Sequence, residues 1–179
     1  TGAVVSIDTT KPEVAKEALS AGAKIVNDVS GLRDPAMIEV CVDTRCTVCI
    51  MHMQGKPATM QSNPLYGDVV RDVKEYLFHA ATVAEKAGVA KDRIWIDPGI
   101  GFGKTVEHNF TLLSRLHDLL RIGRPVLAGL SRKSTLGAVT GRAVDDRLAA
   151  SVAAAVIAVE RGARIVRVHD VAATRDALN

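Results

Sequence analysis

Short β-branched runs recur along the chain, each followed by a polar residue or glycine, with stretches of helical spacing between them. Ala3-Val-Val-Ser-Ile7 predicts a strand ending in Asp8, and Lys24-Ile-Val26 one ending in Asn27-Asp28. Thr47-Val-Cys-Ile-Met51 ends in His52, and Ile94-Trp-Ile96 ends in Asp97. Val126-Leu-Ala128 is followed by Gly129, and Arg164-Ile-Val-Arg167 by Val168-His169-Asp170. Helices are predicted from Pro12 to about Ala21, Pro35 to Val42, Tyr66 to Ala87, Glu107 to Leu120 and Asp145 to Arg161, with a last one from Val171. A further helical region opens at Ser131-Arg-Lys-Ser134. In the first helix Val14, Ala15, Ala18 and Leu19 keep helical spacing, Pro12 sits where proline is tolerated, and Gly22 is the stop. Strand followed by helix, six times over, implies a parallel sheet covered by helices. Gly22-Ala-Lys-Ile-Val-Asn27 is echoed by Gly162-Ala-Arg-Ile-Val-Arg167, helix stop and strand together. The loop from Met53 to Pro64, with Gly55 and Pro57, is long, and long loops in compact domains are usually functional or mobile.

Composition narrows the class. At 179 residues the chain can form one well-cored domain, and 47% hydrophobic with 24% charged residues is ordinary for a globular protein. Aromatics at 3% give few stacking platforms for single-stranded nucleic acid. A net charge of +3, spread rather than blocked, argues against nucleic acid or a membrane surface as partner. No apolar run approaches the roughly 20 residues of a membrane helix, and no signal-peptide pattern opens the chain. The chain starts Thr1-Gly-Ala-Val-Val, one step before a strand and without methionine, as a chain beginning in mid-fold does. Cys41, Cys46 and Cys49 suggest a reducing compartment without a disulfide framework. Cys46-Thr-Val-Cys49 followed by His52 has a metal-like spacing. On a strand, however, residues three apart point to opposite faces and do not converge on zinc.

The polar residues after the strands form a set: Asp8, Asn27, His52, Asp97, Ser131 with Lys133, and Arg167 with His169. In parallel α/β proteins ligands sit at the carboxyl ends of strands, which makes this rim the candidate site. Strand ends also carry Asp or Asn simply as turn formers. Asp8, Asn27 and Asp97 offer acceptors suited to a flat heterocycle with amino and ring N–H groups. Lys133, Arg167 and His169 offer charge and donors suited to phosphate or carboxylate, and backbone N–H groups at a helix start near Ser131–Ser134 favour an anion. Other readings stay open: Arg132 as a solvated charge, Arg167 paired with Asp170, and Lys133 balancing Asp97. The sharpest stretch is Ile94-Trp-Ile-Asp-Pro-Gly-Ile-Gly-Phe-Gly-Lys104. Pro98 ends the strand, and Gly99, Gly101 and Gly103 permit backbone angles and close approaches that other residues avoid. A strand-ending turn capped by Asp97 would also account for it. No GxSxG elbow, GxGxxG or P-loop is present.

Six segments in order resemble signatures of the dihydropteroate synthase family: Val5-Ser-Ile-Asp-Thr9, Asn27-Asp-Val-Ser-Gly31, Met51-His-Met-Gln-Gly55, Ile96-Asp-Pro-Gly-Ile-Gly-Phe-Gly-Lys104, Ser131-Arg-Lys-Ser134 and Arg167-Val-His-Asp170. The resemblance implies a TIM (β/α)8 barrel. It also implies a transferase of folate biosynthesis, a sulfonamide target, that joins 6-hydroxymethyl-7,8-dihydropterin diphosphate to 4-aminobenzoate and releases pyrophosphate. By the same resemblance, Asp8, Asn27, Met51, Asp97 and Lys133 hold the pterin. Asn27, Arg167 and His169 receive the diphosphate, and Phe102, Lys133 and Ser134 face the aminobenzoate. Lys133, Arg167 and His169 are then the catalytic set. Mg2+ is the implied cofactor, and a cytoplasmic homodimer the implied state.

The resemblance places the six βα units as the third to eighth of the barrel, in one domain over 1–179 that lacks the first two strands and their loops. Those loops carry the family's metal-binding Asn, so no metal ligand is expected in this chain, and a Thr-Arg pair that closes over aminobenzoate. Six strands would leave two edges and an open core, an aggregation hazard. Two alternatives remain. One is the pterin-binding domain of a methyltetrahydrofolate methyltransferase, which Ser131–Ser134 and Arg167–His169 disfavour because a methyl donor has no diphosphate to release. The other is a truncated pterin binder without turnover.

Overall fold

The computed structural model describes residues 2–55 and 59–179; Thr1 and Lys56, Pro57 and Ala58 of the long loop lie outside the described residues. Six parallel strands follow one another in space as they do in sequence: β1 (Ser6–Asp8), β2 (Ile25–Asp28), β3 (Thr47–Met51), β4 (Ile94–Asp97), β5 (Leu127–Ala128) and β6 (Ile165–Val166). β1 to β4 form one sheet and β5 pairs with β6; the Ile96–Val126 bridge joins the two groups. Each strand therefore sits beside its predecessor, as the staves of a (β/α)8 barrel do.

Register brings the chemistry level. Asp8 lies beside Asn27, and Met51 beside Asp97, so the polar strand ends share one rim. Val26, Val48, Ile50, Ile94 and Ile96 are fully buried within the staves. The helices α1 (Pro12–Ser20), α2 (Pro35–Thr44), α3 (Val69–Lys86), α4 (Val106–Ser114), α5 (Ser134–Thr140), α6 (Leu148–Glu160) and α7 (Val171–Leu178) follow the strands, one after each except that α5 and α6 both lie between β5 and β6. α3 buries Val70, Val73, Leu77, Ala81 and Ala84, a stripe at helical spacing; each large side chain in it stabilises the fold by about 1.5–3 kcal/mol.

Element existence follows the sequence, while several boundaries shift for local reasons. β1 begins at Ser6 rather than Ala3, because Val4 and Val5 remain exposed on an edge. α3 starts after Tyr66, since the Asp68 carboxylate caps it by accepting from the N–H groups of Val70 and Arg71. The expected helix from Glu107 to Leu120 breaks at Arg115 and continues as a 3-10 helix over Leu116–Ile122. The buried residues there, Leu116, Leu119 and Ile122, recur every third residue, the period a 3-10 helix aligns. The helix from Asp145 likewise divides at Arg147, whose guanidinium donates to the carbonyls of Arg142 and Arg132. β6 spans only Ile165–Val166, so Arg164 and Arg167 flank the strand instead of ending it.

The internal echo is geometric as well. Gly22 and Gly162 both take left-handed angles, φ 110° and 99°. After each, the next residue donates back into its helix at 2.9 Å (Ala23 to Ala18, Ala163 to Ala158). The following lysine or arginine donates at 2.9 Å to the neighbouring strand region, Lys24 to Val5 and Arg164 to Val126.

Candidate functional site

Asp97 ends β4 with 2% of its surface exposed. Its Oδ1 accepts the Gly99 N–H at 2.7 Å, which ties the carboxylate to the loop it starts. Burial pushes its pKa above the ordinary carboxylate value, while Lys133, that N–H, Arg167 and Lys104 pull the other way. Three cations thus face one buried carboxyl. Lys133 precedes α5, and its Nζ donates to the Ile100 carbonyl and lies 4.4 Å from the Phe102 ring centroid, within cation–π range. Burial brings Lys133 down to about 8, with Asp97 opposing and Arg167 adding to the fall.

The loop from Gly99 to Gly103 is shaped by its glycines, at φ 66°, 83° and 61° for Gly99, Gly101 and Gly103. A Cβ on Gly99 would stand 1.9 Å from the His52 carbonyl oxygen, so only glycine fits there. Asn109 Oδ1 accepts from Gly101 N–H at 2.8 Å while its Nδ2 donates to Thr135 Oγ1 at 2.7 Å. Tyr66 Oη donates to the Gly103 carbonyl at 2.6 Å, and Gln61 Nε2 to that of Gly101 at 2.7 Å.

Two of the rim residues read from sequence behave differently from their neighbours. His52 does not line the rim: it is buried edge-on against Tyr76, near Tyr66, with Lys104 Nζ 3.0 Å from its Nδ1. Burial, then Lys104, brings its pKa down to about 3, so the ring is neutral and supports the loop. Met51 is completely buried beside Asp97, and neither residue lines the cavities described next.

Asp8 and Asn27 share a hydrogen bond, Nδ2 to Oδ2 at 2.9 Å, and Arg167 Nη1 reaches the same Asp8 Oδ2 at 3.1 Å. The acceptor and donor halves of the rim are therefore linked. Arg167 does not pair with Asp170, which instead takes the Arg132 guanidinium at 2.7 and 3.2 Å, so Arg132 is not a free surface charge either. Among the described residues Asn27 Oδ1 is a buried acceptor with no partner. It belongs with Asp8, Cys49, Trp95, Leu127 and Arg167 to the wall of an interior cavity of about 450 Å3. A second cavity, about 180 Å3, is lined by Gly129, Ser131, Lys133, Arg167, Val168 and His169. There Ser131 Oγ accepts the His169 N–H at 3.1 Å and meets His169 Nδ1 at 2.9 Å. Ser134 begins α5, exposed, one residue past Lys133.

The cysteines are free and buried. Cys49 faces the interior cavity, whereas Cys46 hydrogen-bonds Cys41 of α2, which lowers Cys46 to about 7 and raises Cys41. The CxxC residues do face apart. Lys104, Asn109, Thr135, Tyr66 and Trp95 join the site without having been singled out from sequence.

A family model described as "Pterin binding enzyme" matches residues 1–169. The dihydropteroate synthase of Haemophilus influenzae is 49% identical over 174 residues, covering 97% of this chain and 63% of that protein. The chain thus spans somewhat under two thirds of the length of that curated relative. The crystal structure of dihydropteroate synthase from Stenotrophomonas maltophilia, with active site-bound imidazole, has a TM-score of 0.97 and 54% identity, covering 99% of this chain and 68% of that one. That of the Thermus thermophilus synthase in complex with 6HMPPP has a TM-score of 0.95 and 48% identity, covering 99% and 70%. The fold is thus that of these synthases: an α/β TIM barrel, of which this chain supplies six βα units.

Proposed function

Because this chain belongs to the pterin-binding enzyme family, we propose that its rim is the working site of a dihydropteroate synthase, which condenses 6-hydroxymethyl-7,8-dihydropterin diphosphate with 4-aminobenzoate to 7,8-dihydropteroate and pyrophosphate. The observation that carries the reading is Asp97, a buried strand-end carboxyl facing Lys133, Arg167 and Lys104. Ring N–H and amino donors of a pterin would satisfy it and the unpartnered Asn27 Oδ1, with Asp8 beside them and Met51 packed next to Asp97 as apolar support. The smaller cavity suits a diphosphate better than a bicyclic ring, and Arg167 and His169, which line it, would receive it, with Asn27 reaching it from the larger cavity that Arg167 also lines. Phe102, Lys133 and Ser134 would face the aminobenzoate.

In this reaction the C–O bond to the diphosphate breaks with its electron pair on the leaving oxygen. The aromatic amine supplies the pair for the new C–N bond and releases a proton. Charge grows on the departing diphosphate, and the cations Lys133 and Arg167 stand where they would stabilise it. Mg2+ is the proposed cofactor. Among the described residues no group of three His, Cys, Asp or Glu could hold a metal. Phosphate oxygens and water, ligands Mg2+ favours, would hold it, and it would offset charge on the leaving group. A cytoplasmic homodimer is proposed as well. Exposed Val139, Val144, Leu148, Ile157 and Val171, on or beside α5, α6 and α7, support the dimer, and no described helix is long and apolar enough to cross a membrane.

The test is dihydropteroate formation by this chain with Mg2+, beside an Asp97→Ala control. Product from the wild type alone supports the proposal, and product from both overturns the role of Asp97. No product from either leaves the second reading, a pterin binder without turnover, which the outer edges of β1 and β6, unpaired among the described residues, favour.

A further inference from the structure

Lys104 leaves the glycine loop and turns back beneath it, with 3% of its surface exposed. Its Nζ lies 2.9 Å from the Phe102 carbonyl, 3.0 Å from that of Gly99, 3.0 Å from His52 Nδ1 and 3.4 Å from the His52 carbonyl. An ammonium has three hydrogens and no acceptor, so the three close contacts use it fully, and neutral His52 accepts through Nδ1. Burying that charge is costly unless it is paired, and a methionine would fill the space without the cost. What the ammonium adds is a fixed position for two carbonyls that the left-handed glycines turn inward. With those carbonyls held, Phe102 stands under the Lys133 ammonium and the Ile100 carbonyl receives it. Lys104 lines neither cavity.

We propose that Lys104 is a positioning residue for the aromatic-amine substrate: it holds the Gly99–Gly103 loop in the shape that aims Phe102 and Lys133 at that substrate. The inference rests on the reading of Phe102, Lys133 and Ser134 as the aminobenzoate face. Asp97 and Lys133 face Lys104 from β4 and the start of α5, His52 with Arg33 behind it from the end of β3, and Tyr66 holds the same loop through Gly103. The Asp8–Asn27 grip stands on β1 and β2 and does not depend on the loop. Loss of Lys104 should therefore affect the two substrates unequally.

The experiment compares wild type, Lys104→Met and Lys104→Arg in steady-state kinetics and amide exchange. In Lys104→Met the KM for 4-aminobenzoate should rise about tenfold or more, as the loss of one charged hydrogen bond implies. That for the pterin diphosphate should rise by a smaller factor, because Asp97 and Lys133 touch the loop while Asp8 and Asn27 do not. The Gly101 and Phe102 amides, bonded to Asn109 and Gly99, should exchange about tenfold faster, and Lys104→Arg should restore part of both effects. Equal rises in both KM values, or unchanged exchange, would overturn the proposal. If the wild type makes no product, the functional reading fails, and exchange alone decides whether Lys104 holds the loop. If Lys104→Met does not fold, wild-type NMR decides: the Lys104 side chain, brought by burial to about 7, should titrate together with the Gly101 and Phe102 amides. Amides indifferent to that titration refute the proposal.

Discussion

Asp97→Asn separates the binding role of this carboxyl from its structural one. The amide keeps an acceptor for the Gly99 N–H, now at 2.7 Å, and nearly the same volume. What it loses is charge toward a ligand, about 1.5–3 kcal/mol for one charge-assisted hydrogen bond. At 1.4 kcal/mol per tenfold, pterin affinity should fall by about 10- to 150-fold. Stability should move the other way. The folded pKa of Asp97 lies above its reference of 3.8, chiefly through burial. Its contribution is therefore complete below 3.8 and is lost as pH rises through the folded value; at neutral pH the ionised form is a cost. The substitution removes that cost, while Lys133 and Lys104, each already brought down by burial, release protons more readily. The melting temperature at neutral pH should hold or rise. Calorimetric titration with the pterin diphosphate, beside a thermal melt, checks both. Affinity within about threefold of wild type, or weaker binding with a melting point lowered by more than about 4 °C, roughly 1–2 kcal/mol, would refute the reasoning.

Gly99→Ala should be severely destabilising, because a Cβ 1.9 Å from a backbone oxygen adds a clash to the left-handed strain of about 1–2 kcal/mol; a melting point within about 2 °C of wild type would contradict it. Stability should climb as pH rises from about 7 toward 10.5, the folded and reference values for Lys104, because the unfolded chain holds that proton longer. Lys104→Met should flatten the climb, as denaturant titrations across that range would show. Sedimentation should give twice the mass of one chain, and a monomer at all accessible concentrations would dispose of the proposed dimer.

The strand ends were legible in the sequence because a parallel stave is a short apolar run that stops at a polar residue, and register then does the rest. Asp8, Asn27 and Asp97 reach one rim for that reason alone. Lys104 ends the glycine motif, yet a lysine after glycine reads as solvent-exposed. Its burial comes from His52 and from chain folded elsewhere, which local pattern does not encode. Tyr66, Asn109 and Thr135 escaped notice likewise, each tied to a partner more than 20 residues away. His52 misled in the opposite sense, since a strand-end histidine looks like chemistry until its neighbours are known. The Arg132–Asp170 and Arg167–Asp8 pairings exchange the partners that proximity in sequence suggested.

The ion pair between Asp8 and Arg167 joins residues 159 apart, one ending β1 and the other just beyond β6. Closing a loop of that length costs about 4–5 kcal/mol in chain entropy, whereas a half-exposed pair contributes no more than about 1. The pair therefore cannot draw β1 and β6 together; it registers that the intervening staves already have. It forms only once β1 and β6 stand at the same level, so the Asp8–Arg167 contact reports on the alignment of every stave between them.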